Sequence, residues 1–130
     1  MMAGRQRVRN YGERLKEVED YIGEHMDQPL DRAVLAEIAG FSVPHFHRIF
    51  TAHTGENIAG HVRRVRLERA ARKLRMGAVD ITEVALAAGY DTHAAFAKAF
   101  IRQFGLTPSK FRQLSCNAAT ELLMNTEKLK

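Results

Sequence analysis

Apolar residues in this chain recur at helical rather than strand spacing from end to end. Leu15, Val18, Ile22 and Met26 fall three or four apart and predict a first helix from about Tyr11 to His25, closed by Pro29. Val34, Leu35 and Ile38 mark the inner side of a second helix, capped by Asp31 and ending near Ala39. A third opens at Ser42, carries Pro44 in its first turn, where no hydrogen bond is lost, and turns Phe46, Ile49, Phe50 and His53 inward. Ile58, Val62, Val65 and Leu74 line a long fourth helix that runs from the cap Asn57 to about Met76 and stops at Gly77. Asp80 with Glu83 forms a capping-box-like start for a fifth holding Val84 and Leu86. Asp91 caps a sixth, with Phe96, Ala99 and Phe100 inward and Gly105 as its stop. Thr107 and Pro108 open a short seventh carrying Lys110, Phe111 and Arg112. With no alternating run anywhere, the pattern predicts an all-α fold.

Two stretches of this pattern are near-copies. Ala36, Ala39, Gly40, Phe41 and Ser42 recur as Ala85, Ala88, Gly89, Tyr90 and Asp91, an offset of 49. Phe46, Arg48, Phe50 and Gly55 recur as Phe96, Lys98, Phe100 and Gly105, an offset of 50, so the second copy has one extra residue after its turn. Each copy reads as a short helix, a glycine-aromatic turn, an N-cap and a second helix ended by glycine, which is a helix-turn-helix signature. The fold class expected is therefore a seven-helix double helix-turn-helix with a long connector helix. It divides into a basic arm over 1–10, a first subdomain over 11–55, the connector over 56–78, a second subdomain over 79–115 and a tail over 116–130. The tail reads as a linker or frayed helix, with a C-terminal helix folding back as the alternative. A connector of some 20 residues at ~1.5 Å each is a rod of roughly 30 Å, near the ~34 Å between successive major-groove faces of B-DNA.

Charge sharpens this reading. Lysine and arginine number 20 against 15 acids. From Phe41 to Val79 eight cations (Arg48, Arg63, Arg64, Arg66, Arg69, Arg72, Lys73, Arg75) face two acids, Glu56 and Glu68. A concentrated basic strip suits a polyanion. The single cysteine, Cys116, can form no internal disulfide and has no zinc partners, so a reducing compartment, the cytoplasm and its nucleoid, is expected. No apolar run approaches the ~18 residues of a membrane span, and the basic N-terminus lacks the apolar core of a signal peptide.

On the third helix Pro44, His47, Arg48 and Thr51 share the outer side. Arg48 suits bidentate contact to guanine, His47 can donate to or accept from a base edge, and Val43 and Pro44 can touch thymine methyls. On the sixth, Ala94, Ala97, Lys98 and Ile101 point outward with His93 beside them. That stripe is poor in hydrogen-bonding groups, so the first repeat should discriminate sequence more strongly than the second. Phosphates are expected at Arg63 and Arg64, at the helix N-termini Ser42, Asn57 and Thr107, and at Thr51, Ser109 and Lys110. His45, His47, His53 and His61 cluster, but no i, i+4 histidine pair or nearby cysteine completes a metal set, so no metal is expected. No nucleophile-base constellation, phosphate-binding glycine loop or carboxylate pair points to catalysis, and no cofactor is expected.

The segments LAEIAGFSVPHFHRIFTAHTG, VRRVRLERAARKLR and ITEVALAAGYDTHAAFAKAFIRQFGLTPSKFR carry a resemblance: from about Glu19 to Leu114 the chain is similar to the DNA-binding domain of the AraC/XylS family of bacterial transcription regulators. The resemblance implies monomeric binding to two adjacent major-groove segments of double-stranded DNA, activation of transcription, and RNA polymerase as a further partner. It places base contacts on Val43, Pro44, His47, Arg48, His93, Ala94, Ala97 and Lys98. Pro44 stands where relatives often carry a larger or polar side chain, and Ala94 with Ala97 leave the second stripe bare, so no promoter sequence carries over. The rivals are a nonspecific architectural DNA-binding protein and a helical protein-interaction module. More distant is a DNA-repair enzyme, since some relatives are fused to alkyl-transfer domains.

Overall fold

The computed structural model describes residues 10–26, 28–77 and 79–128, with side chains to residue 125. The expected basic arm lies, apart from Asn10, outside the described residues. Among these residues there are eight helices and no strand: α1 Tyr11–Glu24, α2 Arg32–Ala39, α3 Val43–Thr54, α4 Ile58–Leu74, α5 Ile81–Ala87, α6 His93–Phe104, α7 Pro108–Arg112 and α8 Cys116–Lys128. They fall into two compact units that divide between Ile58 and Ala59, at the start of α4.

In the first unit Asn10 and Glu13 exchange side-chain and backbone hydrogen bonds in a capping box that starts α1 (2.8 and 3.1 Å). Leu15, Val18, Ile22 and Met26 are buried with Leu35, Ala36 and Ala39 of α2 and Phe46 and Phe50 of α3. Two inward assignments do not hold. Val34 is 37% exposed, because the small Ala36 and Ala39 bring α2 onto its neighbours along a different stripe. His53 is exposed too, near the end of α3, beyond the apolar contacts of Phe46 and Phe50.

Both turns end their first helix in the same way. The Phe41 N–H donates to Ala36 and the Gly40 N–H to Glu37, and in the second unit the Tyr90 N–H donates to Ala85 and the Gly89 N–H to Leu86, all at 3.0 Å. This Schellman geometry requires a left-handed residue, supplied by Gly40 at φ +80° and Gly89 at φ +94°. The second unit departs from expectation at its next cap. Thr92, not Asp91, accepts the Ala95 N–H (3.0 Å) and opens α6, so the extra residue in the second copy is absorbed ahead of the cap.

The second unit is held by aromatic residues. Phe100 packs against Phe96, Phe104 and Phe111 with ring centroids 5.6, 4.6 and 5.5 Å away. Leu67, Ala70, Ala71 and Leu74 of α4 join Val84, Ala85 and Ala88 of α5 around them. The inner side of α4 is thus wider than Ile58, Val62, Val65 and Leu74 suggested; Val62 and Val65 are only half-buried. A polar row at i, i+3, i+7, namely His61, Arg64 and Glu68, is buried as well. The described part of the tail, 116–128, folds back: α8 buries Ala119 and packs Leu122 and Leu123 on the core, making an eighth helix beyond the seven expected. Two arginines close this corner by donating to carbonyls at and just beyond the ends of α4 and α7. Arg75 donates to Phe111 (3.2 Å), Arg112 (3.0 Å) and Leu114, while Arg112 donates back to Leu74 (3.3 Å) and Val79.

Candidate nucleic-acid interface

The outer face of α3 follows from its inner one: with Phe46 and Phe50 buried, the opposite side of the helix must meet solvent. Val43, Pro44 and Arg48 are exposed there, Val43 at 40%. Exposed Val43 and Pro44 beside the Arg48 guanidinium suit two features a major groove presents, thymine methyls and the acceptor pair of guanine. His47 and Thr51, one turn apart, are half-buried. His47 Nδ1 and Thr51 Oγ1 are shut away from solvent without a hydrogen-bond partner. His47 therefore has Nε2 as its outward-capable nitrogen, and the Thr51 hydroxyl is not turned toward an approaching phosphate. His45 does not join the other histidines. It lies between aromatic rings, 4.9 Å from the Phe41 centroid and 6.4 Å from that of Tyr11.

The outer face of α6 carries His93, Ala94 and Lys98 exposed, Ala97 half-buried and Ile101 exposed at 43%. Lys98, midway along the helix, and Arg102 a turn later are its exposed permanent charges. Between the candidate base-reading residues of α3 and α6 the contrast is chemical: Arg48 and His47 beside Val43 and Pro44, against Lys98 and His93 beside two alanines.

The phosphate candidates separate by exposure. Arg63 is exposed. Arg64 is not: its Nη1 donates to Glu68 Oε2 at 2.9 Å inside the protein, with 7% of the residue accessible. Reaching a phosphate would break a buried ion pair and leave Glu68 without that partner, so the expectation for Arg64 is corrected. The Ser42 and Thr107 side chains accept the N–H groups of His45 (3.4 Å) and Lys110 (3.1 Å), fixing the starts of α3 and α7. Asn57, Ser109 and Lys110 are exposed at helix starts. Among the described residues, no group of three or more histidine, cysteine, aspartate or glutamate side chains is placed to hold a metal ion. No described helix is long and apolar enough to cross a membrane. Tyr90 lies beside the second turn: burial pushes its phenol up, and Arg63 and Arg66 pull it partly back.

One role went unread in the sequence. Arg14 and Arg66, on α1 and α4, stand against Gly40 and Gly89, where a Cβ would lie 2.6 Å from Arg14 Nη2 and 3.2 Å from Arg66 Nη1. The signal was present, since Arg14-Leu15 recurs as Arg66-Leu67.

Two glycine-aromatic turns, each leading into a helix with an exposed outer face, define a double helix-turn-helix protein of the DNA-reading class. A family profile described as "Helix-turn-helix domain" matches residues 35–114. The regulatory protein SoxS of Escherichia coli K12 is 37% identical over 92 residues, covering 71% of this chain and 86% of SoxS. The HTH-type transcriptional regulator GlxA of Rhizobium meliloti is 38% identical over 90 residues, 69% of this chain; the chain spans only 28% of the length of GlxA. The DNA-binding domain of AdpA, a global transcriptional factor solved in complex with a target DNA, superposes with a TM-score of 0.66 at 30% identity, covering 76% of this chain and 89% of that one. The chain belongs to the AraC-type helix-turn-helix family, whose members are DNA-binding transcription regulators and not enzymes.

Proposed function

We propose that this protein is a sequence-specific double-stranded DNA-binding regulator that reads adjacent major-groove segments with α3 and α6. The observation that carries the reading is the exposed outer face of α3, where Arg48 stands clear of any buried role beside Val43 and Pro44. Arg48 contacts a guanine, and His47 donates through Nε2 to a base acceptor. Val43 and Pro44 cover thymine methyls. His93, Ala94, Ala97 and Lys98 follow the second segment by shape and one charge. Arg63, Ser109, Lys110 and the backbone N–H groups that open α3, α4 and α7, after Ser42, Asn57 and Thr107, position the duplex by its phosphates. Because the two reading faces differ, a single chain is sufficient and the site is asymmetric, so the protein binds as a monomer in the cytoplasm. The AdpA domain in complex with a target DNA supports this mode of use for the shared fold. Activation through contact with RNA polymerase is the sign we assign from the family resemblance, and a promoter reporter reads it.

The test is selection of bound genomic duplexes at ~0.15 M salt, near physiological ionic strength. The expected result is an asymmetric motif about two helical turns long, with affinity falling steeply as salt rises. Salt-sensitive binding with no motif would make the protein an architectural one, and no binding would make the reading faces protein-interaction surfaces.

A further inference from the structure

Arg14, Leu15, Val18 and Ile22 of α1 recur as Arg66, Leu67, Ala70 and Leu74 of α4, each displaced by 52 residues. Leu15, Val18 and Ile22 are buried, and so are Leu67, Ala70 and Leu74. The internal repeat therefore includes the helix before each helix-turn-helix, and the arginine ahead of the buried leucine lies against the turn glycine in both units. Arg14 donates Nε–H to the Ala39 carbonyl (2.7 Å) and Nη2–H to the Gly40 carbonyl (2.8 Å). Its guanidinium carbon stands 4.1 Å from the centre of the Phe41 ring and 5.6 Å from that of Tyr11, and the two rings meet edge to face at 5.1 Å. In the second unit Arg66 lies against Gly89, with its charge close enough to act on the Tyr90 phenol.

This arrangement does more than cap a helix. The Ala39 and Gly40 carbonyls sit at the negative end of α2, where a cation is favoured. Two donors from one planar group fix direction as well as distance, which a lysine ammonium cannot do. The aromatic residue of the turn is held between the guanidinium and a second ring, so the backbone from Gly40 to Ser42 is gripped from the side facing α1. That backbone sets the angle at which α3 leaves α2. We propose that Arg14 is a positioning residue for base reading: it fixes the α2–α3 turn and with it the pose of α3, and Arg66 holds the corresponding place ahead of α6. The inference rests on the DNA-reading function proposed above and extends it to a helix that touches no base.

Arg14→Lys keeps the charge and removes the fork. Its selected-site affinity should fall about tenfold, while affinity for an unrelated duplex and the salt slope stay as in the parent. Amide exchange at Gly40, Phe41 and the first turn of α3 should quicken, with the α6 amides unchanged; Arg66→Lys should give the mirror result. Site affinity equal to the parent's would overturn the proposal. So would equal losses on both duplexes with a shallower salt slope, which would make Arg14 a phosphate contact. If Arg14→Lys does not fold, Phe41→Leu, which keeps the carbonyl contacts and removes the stacked ring, should lower site affinity in the same direction by a smaller factor; no change there overturns it. A parent that selects no sequence would remove the DNA-reading function. The exchange measurement needs no DNA and reads the grip by itself: turn amides unaltered in Arg14→Lys exclude it.

Discussion

The two helix-turn-helix units share a turn and differ in what they do with it. The first is closed by aliphatic residues of α1, with Phe46 and Phe50 behind α3, and it exposes Arg48 and Val43 on its reading face. The second has a cluster of four phenylalanines, three of them on α6, and exposes His93, Ala94, Lys98, Ile101 and Arg102 along that helix. The repeated backbone shows that the turn geometry can be kept while the buried side is rebuilt for stability and the exposed side for chemistry. The function proposed above assigns sequence discrimination to the first unit, while the denser aromatic packing lies in the second.

The largest expected effect tests the packing half of that contrast. Phe100→Ala opens a cavity where three other rings meet and should cost about 3 to 5 kcal/mol by urea denaturation, with amide exchange rising throughout α4 to α8. Next comes the reading half. Arg48→Ala should cost about 1 to 3 kcal/mol on the selected site and much less on random DNA. Lys98→Ala should weaken both duplexes alike, with a salt slope smaller by about one. A base-specific loss from Lys98→Ala would break the comparison. Smaller again are the caps. Thr92→Ala removes a 3.0 Å hydrogen bond at the start of α6 and should cost about 1 kcal/mol in thermal unfolding. Ser42→Ala, whose bond is 3.4 Å, should cost less.

The smallest effect concerns pH. Phe41 of the first turn cannot ionise, whereas Tyr90 of the second has its phenol raised above the usual 10.0 by burial, with Arg63 and Arg66 opposing. A raised acid favours the neutral form in the fold. Its contribution to stability is therefore complete below the unfolded value and is lost as pH rises through the folded one. Tyr90→Phe should flatten the decline in stability above pH ~10 and remove a phenolate that titrates above the usual range from the ultraviolet titration.

The periodic features were legible because each has one physical cause. Apolar spacing and cap residues together located the seven expected helices, and Gly40 and Gly89 marked left-handed turns no other residue fills as easily. The stripes His47 with Arg48 and Ala94 with Lys98 followed from where Phe46, Phe50, Phe96 and Phe100 had to point. The arginines were not legible, because a long cation has several ends equally open to it in sequence. Arg64 went inward to Glu68, Arg14 and Arg66 to the turns, and Arg75 and Arg112 to carbonyls over thirty residues away. The cap of α6 moved from Asp91 to Thr92 because an inserted residue can be absorbed on either side of it. The tail became α8 because Ala119, Leu122 and Leu123, sparse in sequence, meet a core already crowded with rings.

The measurement closest to the central claim is base-by-base specificity of the parent, Arg48→Ala and Lys98→Ala proteins on one selected duplex library. The account predicts a motif with one sharp half and one shallow half, the sharp half flattened by Arg48→Ala and left intact by Lys98→Ala. A sharp half that survives Arg48→Ala and collapses with Lys98→Ala would contradict it.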